Sequence, residues 1–356
     1  MLALAPLLLA TLALPPQSVS STTPAQADAA WLHYAGDADQ APGNGRRVVL
    51  MAGDEEYRSE EVQPMLARQL NALGFECYVL FSQNPVTGEV DPNQVSHIPG
   101  TELIADADLL VMQLRFRELP EEQMKPIVDY VEAGKPVIGI RTSTHAFHYR
   151  KNREDRYAHW DFRAKEWKDG FGRQILGETW ISHHGGHGSQ ATRALPHPAQ
   201  AHHPTMRGVG PAFGPSDVYG VRELPADATV LLDGQVVSGM SPDDPALDGK
   251  KNAPMMPVAW VREIPRGERE NPQRVFTTTM GTADDWTDVD LRRLFLNASL
   301  WCLGEPEAIP IDGFSAALTE TWQPTPFGFN QARTGYKPED YRKGSPWTVA
   351  AGAAKK

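Results

Sequence analysis

The sequence predicts an α/β fold in which parallel strands alternate with helices. Two patterns support this prediction: short apolar runs of strand length, and intervening segments whose apolar residues recur every three or four positions. Over roughly a hundred residues the order is strand, helix, strand, strand, helix, strand, which is typical of parallel β-α-β units with right-handed crossovers. The chain has 356 residues and is 41% hydrophobic, so it can bury a core of this kind.

The first half of the chain carries the clearest elements. Ser59 follows the first predicted strand and is placed to cap a helix, whose positive end suits the acidic residues beside it. Gly74 is expected to end that helix, and Pro120 is expected to begin the second. The predicted strands of this half are 47–51, 75–81, 108–114 and 136–140.

Beyond residue 150 the pattern loosens. Residues 150–173 are rich in charges and aromatic rings, and we expect them to form a partly irregular cover over the sheet. A last helix carries Leu291, Leu294 and Phe295 and stops at Gly304 and Pro306. The strand-like runs of this half are 218–222, 228–232, 256–261 and 275–280.

The N-terminus has the features of a secretory signal. Residues 1–15 are an apolar run too short to span a bilayer comfortably, and Ala25-Gln26-Ala27 offers a cleavage site. We therefore expect a signal peptide over 1–27, a periplasmic or secreted mature protein and no membrane span in it; the alternative is an apolar stretch from a misassigned start. The remaining expected divisions are an N-terminal arm over 28–45, one domain over 46–305 and a Pro- and Gly-rich wrapping tail over 306–356.

Charge and cysteine content narrow the function classes. The net charge is −11 and no basic cluster stands out, which argues against nucleic-acid binding. The two cysteines, Cys77 and Cys302, lie in apolar patterns, so buried free thiols are the favoured interpretation and a disulfide between them is the alternative.

Polar residues at the ends of the predicted strands form the candidate site. Carboxyl ends of parallel strands share one edge of a sheet, so residues that follow different strands can converge there. Each of them could instead be an ordinary surface charge or a helix cap. The set consists of Asp54, Glu55, Glu56, Tyr57, Arg58, Arg115, Arg117, Arg141, Thr142, Thr144, His145, Thr282, Asp284 and Asp285.

Arg141 stands where a strand gives way to a polar turn, the layout of a hydrolase nucleophile elbow. A guanidinium is no nucleophile, but its rigid fork of donors suits carboxylates, phosphates or vicinal oxygens. Arg141 is therefore a candidate substrate-binding residue; the alternative is a structural ion pair with Asp54 or Glu55.

Histidines are concentrated in one region: six of the 11 fall between residues 183 and 203. His183, His184 and His187 share a Gly-rich turn, and such spacing permits ligation of a divalent metal such as Zn²⁺. The same imidazoles suit acid–base work near neutral pH, or could be purely structural.

Several of these segments, taken together, resemble the ThuA-like (trehalose utilization) family, which has the class I glutamine amidotransferase-like fold. The resemblance implies a flavodoxin-like three-layer α/β sandwich with a mostly parallel sheet, and a role around disaccharides and their 3-keto forms. That fold normally carries Cys at the elbow, so Arg141 removes glutaminase activity. The resemblance covers roughly 46–305 and is carried by 53–61, 134–142, 183–187, 256–261 and 274–281.

Three functional hypotheses follow. The first is an exported hydrolase, lyase or isomerase of a sugar, with His183 and His184 moving protons and Asp54 and Glu55 orienting or polarising. Tyr57, the arginines, Thr142, Thr144, His145 and Asp284 would bind the sugar, and His183, His184 and His187 are the expected ligands of any metal. The second is a non-catalytic sugar-binding or partner module, and the third is a periplasmic metal-dependent hydrolase of other substrates.

Overall fold

The computed structural model describes residues 30–266, 271–318 and 322–342, so the expected signal peptide lies outside the described residues. The strands are β1 (Trp31–Tyr34), β2 (Arg47–Gly53), β3 (Glu76–Phe81), β4 (Leu109–Leu114), β5 (Val137–Ile140), β6 (Thr192–Pro196), β7 (Ala212–Gly214), β8 (Ala228–Val236), β9 (Met256–Ile264) and β10 (Gln273–Thr278). The α-helices are α1 (Ser59–Asn71), α2 (Glu121–Glu132) and α3 (Val289–Cys302). Within the described ranges these strands form one sheet, in the order β1-β3-β2-β4-β5-β10-β9-β8-β6-β7.

The central strands of the sheet are parallel and are buried on both faces. Strands β3, β2, β4, β5 and β10 all run the same way, as the alternation of strands and helices predicts. Val48 and Leu50 belong to a core cluster that includes α1 and α3, whereas Val49 and Met51 belong to a second cluster that includes α2. This alternation follows from the two-residue period of a strand, so helices cover both faces.

The sheet as a whole is mixed, so the expectation of a mostly parallel sheet is confirmed only in part. Among the described strands four neighbouring pairs are parallel and five are antiparallel. β10 is the boundary, because it pairs in parallel with β5 and antiparallel with β9. The expectation of a strand over 218–222 is wrong. In this stretch, Tyr219 makes an isolated bridge with His183.

The predicted N-terminal arm contains a strand. β1 pairs antiparallel with β3, and its side chains alternate between half-buried and buried, with Leu32 and Tyr34 facing the core. Four residues are too few to separate such an edge strand from a loop by periodicity alone.

The helix starts differ in how they are capped. Arg58 precedes α1 in the left-handed conformation, with φ of 60°, and Ser59 is the first helical residue rather than the cap we expected. In α3 the Asp288 carboxylate accepts hydrogen bonds from the backbone N–H of Asp290 and Leu291, so this cap conforms to the usual preference.

The C-terminal segment, residues 322–342, packs against residues that lie far from it in the sequence. The Val90 N–H donates to the Tyr336 carbonyl (2.7 Å), and the Tyr341 ring packs against Phe81. Cys77 and Cys302 are both free and buried, as their apolar surroundings favour. None of the helices in the described ranges has the length and apolar character needed to cross a membrane.

Candidate functional site

One buried carboxylate and two exposed imidazoles form the centre of the candidate site, and we name them the histidine–aspartate cluster: His183, His187 and Asp217. Asp217 Oδ2 accepts a hydrogen bond from His183 Nδ1 (2.7 Å), and its Oδ1 accepts one from His187 Nδ1 (3.0 Å). Asp217 is fully buried, whereas each imidazole is about one-third exposed. One carboxylate therefore orients two partly exposed imidazoles.

The environment keeps Asp217 ionised. Burial by itself would raise the pKa of this carboxyl. The hydrogen bonds from His183 and His187 and the charge of Arg141 outweigh burial and hold the pKa well below its usual range. Asp217 is thus a fixed negative charge behind the two rings.

His187 connects the cluster to the end of β2. Its Nε2 lies 3.2 Å from Glu56 Oε1, so both ring nitrogens face carboxylates. The hydrogen bond to Asp217 raises the pKa of His187, against the opposing effect of burial. Burial, with a further contribution from the Asp54 charge, raises the pKa of Glu56. These carboxylates favour a positive charge at the position of the His187 ring.

Arg141 lies beneath the cluster and is fully buried. Its guanidinium carbon stacks 4.1 Å from the Tyr57 ring centre and 4.3 Å from that of Tyr219, and Nη1 donates to the Thr279 carbonyl (2.7 Å). Nη2 donates to Asp217 Oδ1 (3.1 Å). The alternative of a structural ion pair with Asp54 or Glu55 is wrong in its partner, because the carboxylate that pairs with Arg141 is that of Asp217.

The carboxylates after β2 have local structural partners. Glu55 pairs with both Arg115 and Arg117, while Asp54 Oδ1 accepts the backbone N–H of Glu56 (2.8 Å) and of Tyr57 (3.1 Å). The second oxygen of Asp54 accepts the Thr142 hydroxyl, which is consistent with a turn built around this side chain. Asp54 and Glu55 thus fix the turn that presents Glu56 to His187.

Two arginines expected to bind substrate are buried and committed elsewhere. Arg58 donates to the backbone carbonyls of Pro326 (3.3 Å) and Gly328, which fastens the C-terminal segment over the end of α1. Arg117 is buried and, besides Glu55, donates to the Ser82 hydroxyl (3.1 Å). Arg115 keeps some exposure and is the arginine of this group that a ligand can reach.

Three more of the expected residues are buried or half-buried. His145 is buried beside Trp180, and burial first, then the charges of Arg115 and Arg141, lowers its pKa well below the usual value, so it is neutral. The Thr144 hydroxyl donates to the Arg141 carbonyl (3.2 Å). Burial and the neighbouring charge of Asp285 raise the pKa of the half-buried Asp284 to about 6.

His184 points away from the cluster. Its Nε2 lies 2.9 Å from the Lys251 carbonyl oxygen, and its own carbonyl accepts from the Lys251 ammonium. The donor atoms of His183, His187 and Asp217, by contrast, all lie within 4.8 Å of one another, so these are the residues that could hold a metal ion. The third residue of this set is Asp217 and not His184, which we had expected.

Two half-buried aromatic residues pack beside the imidazoles of the cluster, and we name them the aromatic walls: Trp180 and Phe327. The ring centre of Trp180 lies 5.8 Å from that of His183, and the ring centre of Phe327 lies 5.6 Å from that of His187. The C-terminal segment therefore contributes directly to the site. Phe329 of the same segment lies against the guanidinium of Arg115 (4.9 Å).

The residues that sequence reasoning missed do not follow any of the strands predicted from the sequence. Asp217 follows Gly-Pro-Ser in a stretch without a recognisable motif, and Phe327 lies in the Pro-rich tail. The four-residue spacing of His183 and His187 was the available signal, and it pointed to imidazoles but not to the carboxylate between them.

A family model described as "ThuA: Trehalose utilisation" matches residues 47–302 of the chain. Among solved structures, the chain is similar to a ThuA-like protein from Parabacteroides merdae, at 14% identity, a TM-score of 0.46 and coverage of 83% of this chain and 98% of that one. For a ThuA-like protein from Bacteroides uniformis the values are 15%, 0.45, 72% and 91%. For a glutamine amidotransferase from Thermotoga maritima they are 11%, 0.33, 74% and 90%. No curated protein matches the sequence.

Proposed function

The chain belongs to the ThuA (trehalose utilisation) family, and from this premise we propose that it acts in carbohydrate catabolism on a sugar or keto-sugar. The substrate would be a disaccharide or a derivative of one, and the protein would be exported to the periplasm or secreted. The reaction would be a hydrolysis, elimination or isomerisation at the histidine–aspartate cluster, by acid–base or metal-assisted chemistry.

The surroundings of the cluster suit a sugar. Trp180 offers apolar ring surface beside His183, and Phe327 offers it beside His187. A pyranose has C–H groups on its faces and hydroxyls around its edge, so aromatic walls can pack on the former while imidazole and guanidinium groups hydrogen-bond the latter. Arg115, held by Glu55 and Glu56, is the nearby donor with some exposure.

The single observation that carries the proposal is the carboxylate of Asp217 between two partly exposed imidazoles. A carboxylate that accepts from Nδ1 fixes the ring orientation and the tautomer, so His183 Nε2 is left as the atom that could take a proton from a substrate hydroxyl. A bound cation at the same place would instead polarise a keto-hydroxy group.

Glutaminase chemistry is not part of the proposal. Arg141 is the residue directly after β5, and it is buried between two tyrosine rings. A guanidinium in that position supplies charge but no nucleophile, and the neighbouring Ser143 hydroxyl donates to the Met112 carbonyl (2.7 Å) inside the fold.

A panel of disaccharides and their 3-keto forms, incubated with the purified protein, tests the proposal. We expect turnover of at least one of them and a loss of about 100-fold or more in His183→Ala and His187→Ala, because general acid–base groups contribute on this scale. His184→Ala is the matched control, since its ring bonds to Lys251 outside the cluster. The proposal would be refuted if the protein neither bound nor turned over any sugar of the panel.

The second candidate is a sugar-binding module without catalysis. It is favoured by His187, whose two ring nitrogens are both engaged by carboxylates and so are not free for a substrate proton. Isothermal calorimetry on the same panel separates the two candidates: tight binding without product identifies the module, and product formation identifies the enzyme.

A further inference from the structure

We propose that His183, His187 and Asp217 bind one divalent transition-metal ion of the zinc type. As a statement of how the site performs its chemistry, the inference rests on the proposed function, although metal binding can be measured without any sugar. Two imidazoles and one carboxylate are ligands that Zn²⁺ prefers, and three protein ligands leave a position open for water or substrate.

The donor atoms are already close to the spacing that such an ion needs. Bond lengths of about 2.0–2.2 Å in a tetrahedral site place ligand atoms roughly 3.3–3.5 Å apart. His183 Nδ1 and His187 Nδ1 lie 2.7 and 3.0 Å from the Asp217 oxygens, so the rings must move outward by about half an ångström. Each ring is about one-third exposed, so part of its surface is not packed against protein.

Backbone hydrogen bonds hold the two ligand-bearing segments together independently of the ligand side chains. The His184 and Gly185 N–H groups both donate to the Val218 carbonyl (2.8 and 3.0 Å), and the Gly220 N–H donates to the Ser182 carbonyl (2.9 Å). The imidazoles therefore stay beside Asp217 when the hydrogen bonds between them are exchanged for bonds to an ion. Such preorganisation lowers the free-energy cost of assembling the site.

The local charge balance also favours a cation. Four carboxylates against three guanidiniums leave one negative charge uncompensated around the cluster. On the β2 side, the Glu56 carboxylate faces His187 Nε2. Arg141, by contrast, approaches Asp217 from the buried side, and the imidazoles approach it from the open side. The groups counted are Asp54, Glu55, Glu56, Asp217, Arg115, Arg117 and Arg141.

The experiment is a titration of Zn²⁺ into tag-free full-length protein that has been treated with a chelator and then freed of it. We expect one ion per chain by calorimetry and a rise in Tm on binding. His183→Ala and His187→Ala should each weaken Zn²⁺ binding by about 100-fold or more, since each removes a direct ligand. His184→Ala, the adjacent histidine, should bind Zn²⁺ within about twofold of the unaltered protein, because its side chain lies outside the cluster.

Circular dichroism of each variant checks its fold, and His183→Gln replaces His183→Ala if the alanine variant fails to fold. Absence of stoichiometric Zn²⁺ binding, or equal affinity in His183→Ala and His184→Ala, would overturn the metal site. Sugar binding is measured separately on the metal-free protein and on the loaded protein. Sugar binding or turnover without metal binding refutes only the metal inference, whereas metal binding with no response to any sugar refutes only the proposed function.

Discussion

Arg141 illustrates how a residue at a strand end can belong to the interior. Its backbone has φ of 43°, a left-handed conformation that non-glycine residues seldom adopt, and its guanidinium is enclosed by Tyr57, Tyr219 and Asp217. It acts on the site through Asp217, whose pKa it helps to lower. Arg141 is therefore a positioning residue.

Replacement of Arg141 with alanine should destabilise the protein. Because the change leaves Asp217 buried without its ion pair and opens space between two rings, we expect unfolding free energy to fall by about 3–5 kcal/mol. Urea denaturation followed by tryptophan fluorescence measures this quantity. Arg153→Ala, at an exposed position, is the control and should change stability by less than about 0.5 kcal/mol. Equal stability of the two variants would contradict the buried role.

The sequence pointed to part of the site at the level of single residues. His183, Glu56 and Tyr57 follow from the rule that strand ends and histidine clusters gather function, and the structure brings them to one edge of the sheet. Asp217 did not follow, because its three side-chain partners are 30 or more positions away and no local pattern marks it. Pairs of polar groups that lie far apart in the sequence produce no periodic pattern in it.

At the scale of elements, the parallel strands and the long antiparallel strands β8 and β9 were predicted, whereas the short antiparallel strands β1, β6 and β7 were not. Buried parallel strands appear in the sequence as continuous apolar runs such as Val48 to Met51. β6 (Thr192–Pro196) is half polar and ends in proline, and β7 (Ala212–Gly214) has only three residues, so neither carries a period long enough to recognise. The antiparallel pairing in this half of the sheet could therefore not be predicted from the sequence.

The first turn of α1 contains a carboxyl group that should make stability depend on pH. Glu60 is buried, and burial is the main cause that raises its pKa to about 8, although the Arg58 charge opposes the shift; Glu61 and Asp54 add to it. In the unfolded chain such a group titrates near 4.3. Between these values the folded state binds more protons than the unfolded state, so stability should fall as the pH rises from about 4.5 to 8.

Glu60→Gln should remove this part of the pH dependence, because glutamine does not ionise. We expect the variant to lose less unfolding free energy than the unaltered protein between pH 5 and pH 9, by an amount on the order of a few kcal/mol. Urea unfolding at the two pH values measures it. Glu122→Gln, at an exposed position in the first turn of α2, should leave the pH dependence unchanged. A parallel pH profile for Glu60→Gln would contradict the assignment.

At the scale of the whole molecule, the site lies where the two halves of the sheet meet. Arg141 follows β5 in the parallel half, whereas His183 and Asp217 come from segments around β6 and β7 in the antiparallel half. Neither half contains the site alone. This arrangement explains why the fold class was easier to predict than the site, since the parallel half sets the class and the other half supplies most of the cluster.

Export remains a prediction, and it concerns the chain as a whole. Because an apolar run precedes Ala25-Gln26-Ala27, we expect the protein isolated from the periplasm of a Gram-negative host to begin near residue 28, shortly before β1. Intact mass spectrometry locates the first residue. Leu8→Arg, which interrupts the apolar run, should leave unprocessed precursor in the cytoplasm. An unprocessed N-terminus in the periplasm would contradict the prediction.

The anchoring of the C-terminal segment has a consequence for the stage at which the protein can enclose a ligand. Arg58 and Gly328 are 270 positions apart, yet their hydrogen bond fixes the segment that carries Phe327. A growing chain can pair its early strands long before residue 327 has been made. The pocket is consequently open on one side until residue 327 is in place, so a chain that stops before this residue can pair its strands but cannot enclose a ligand.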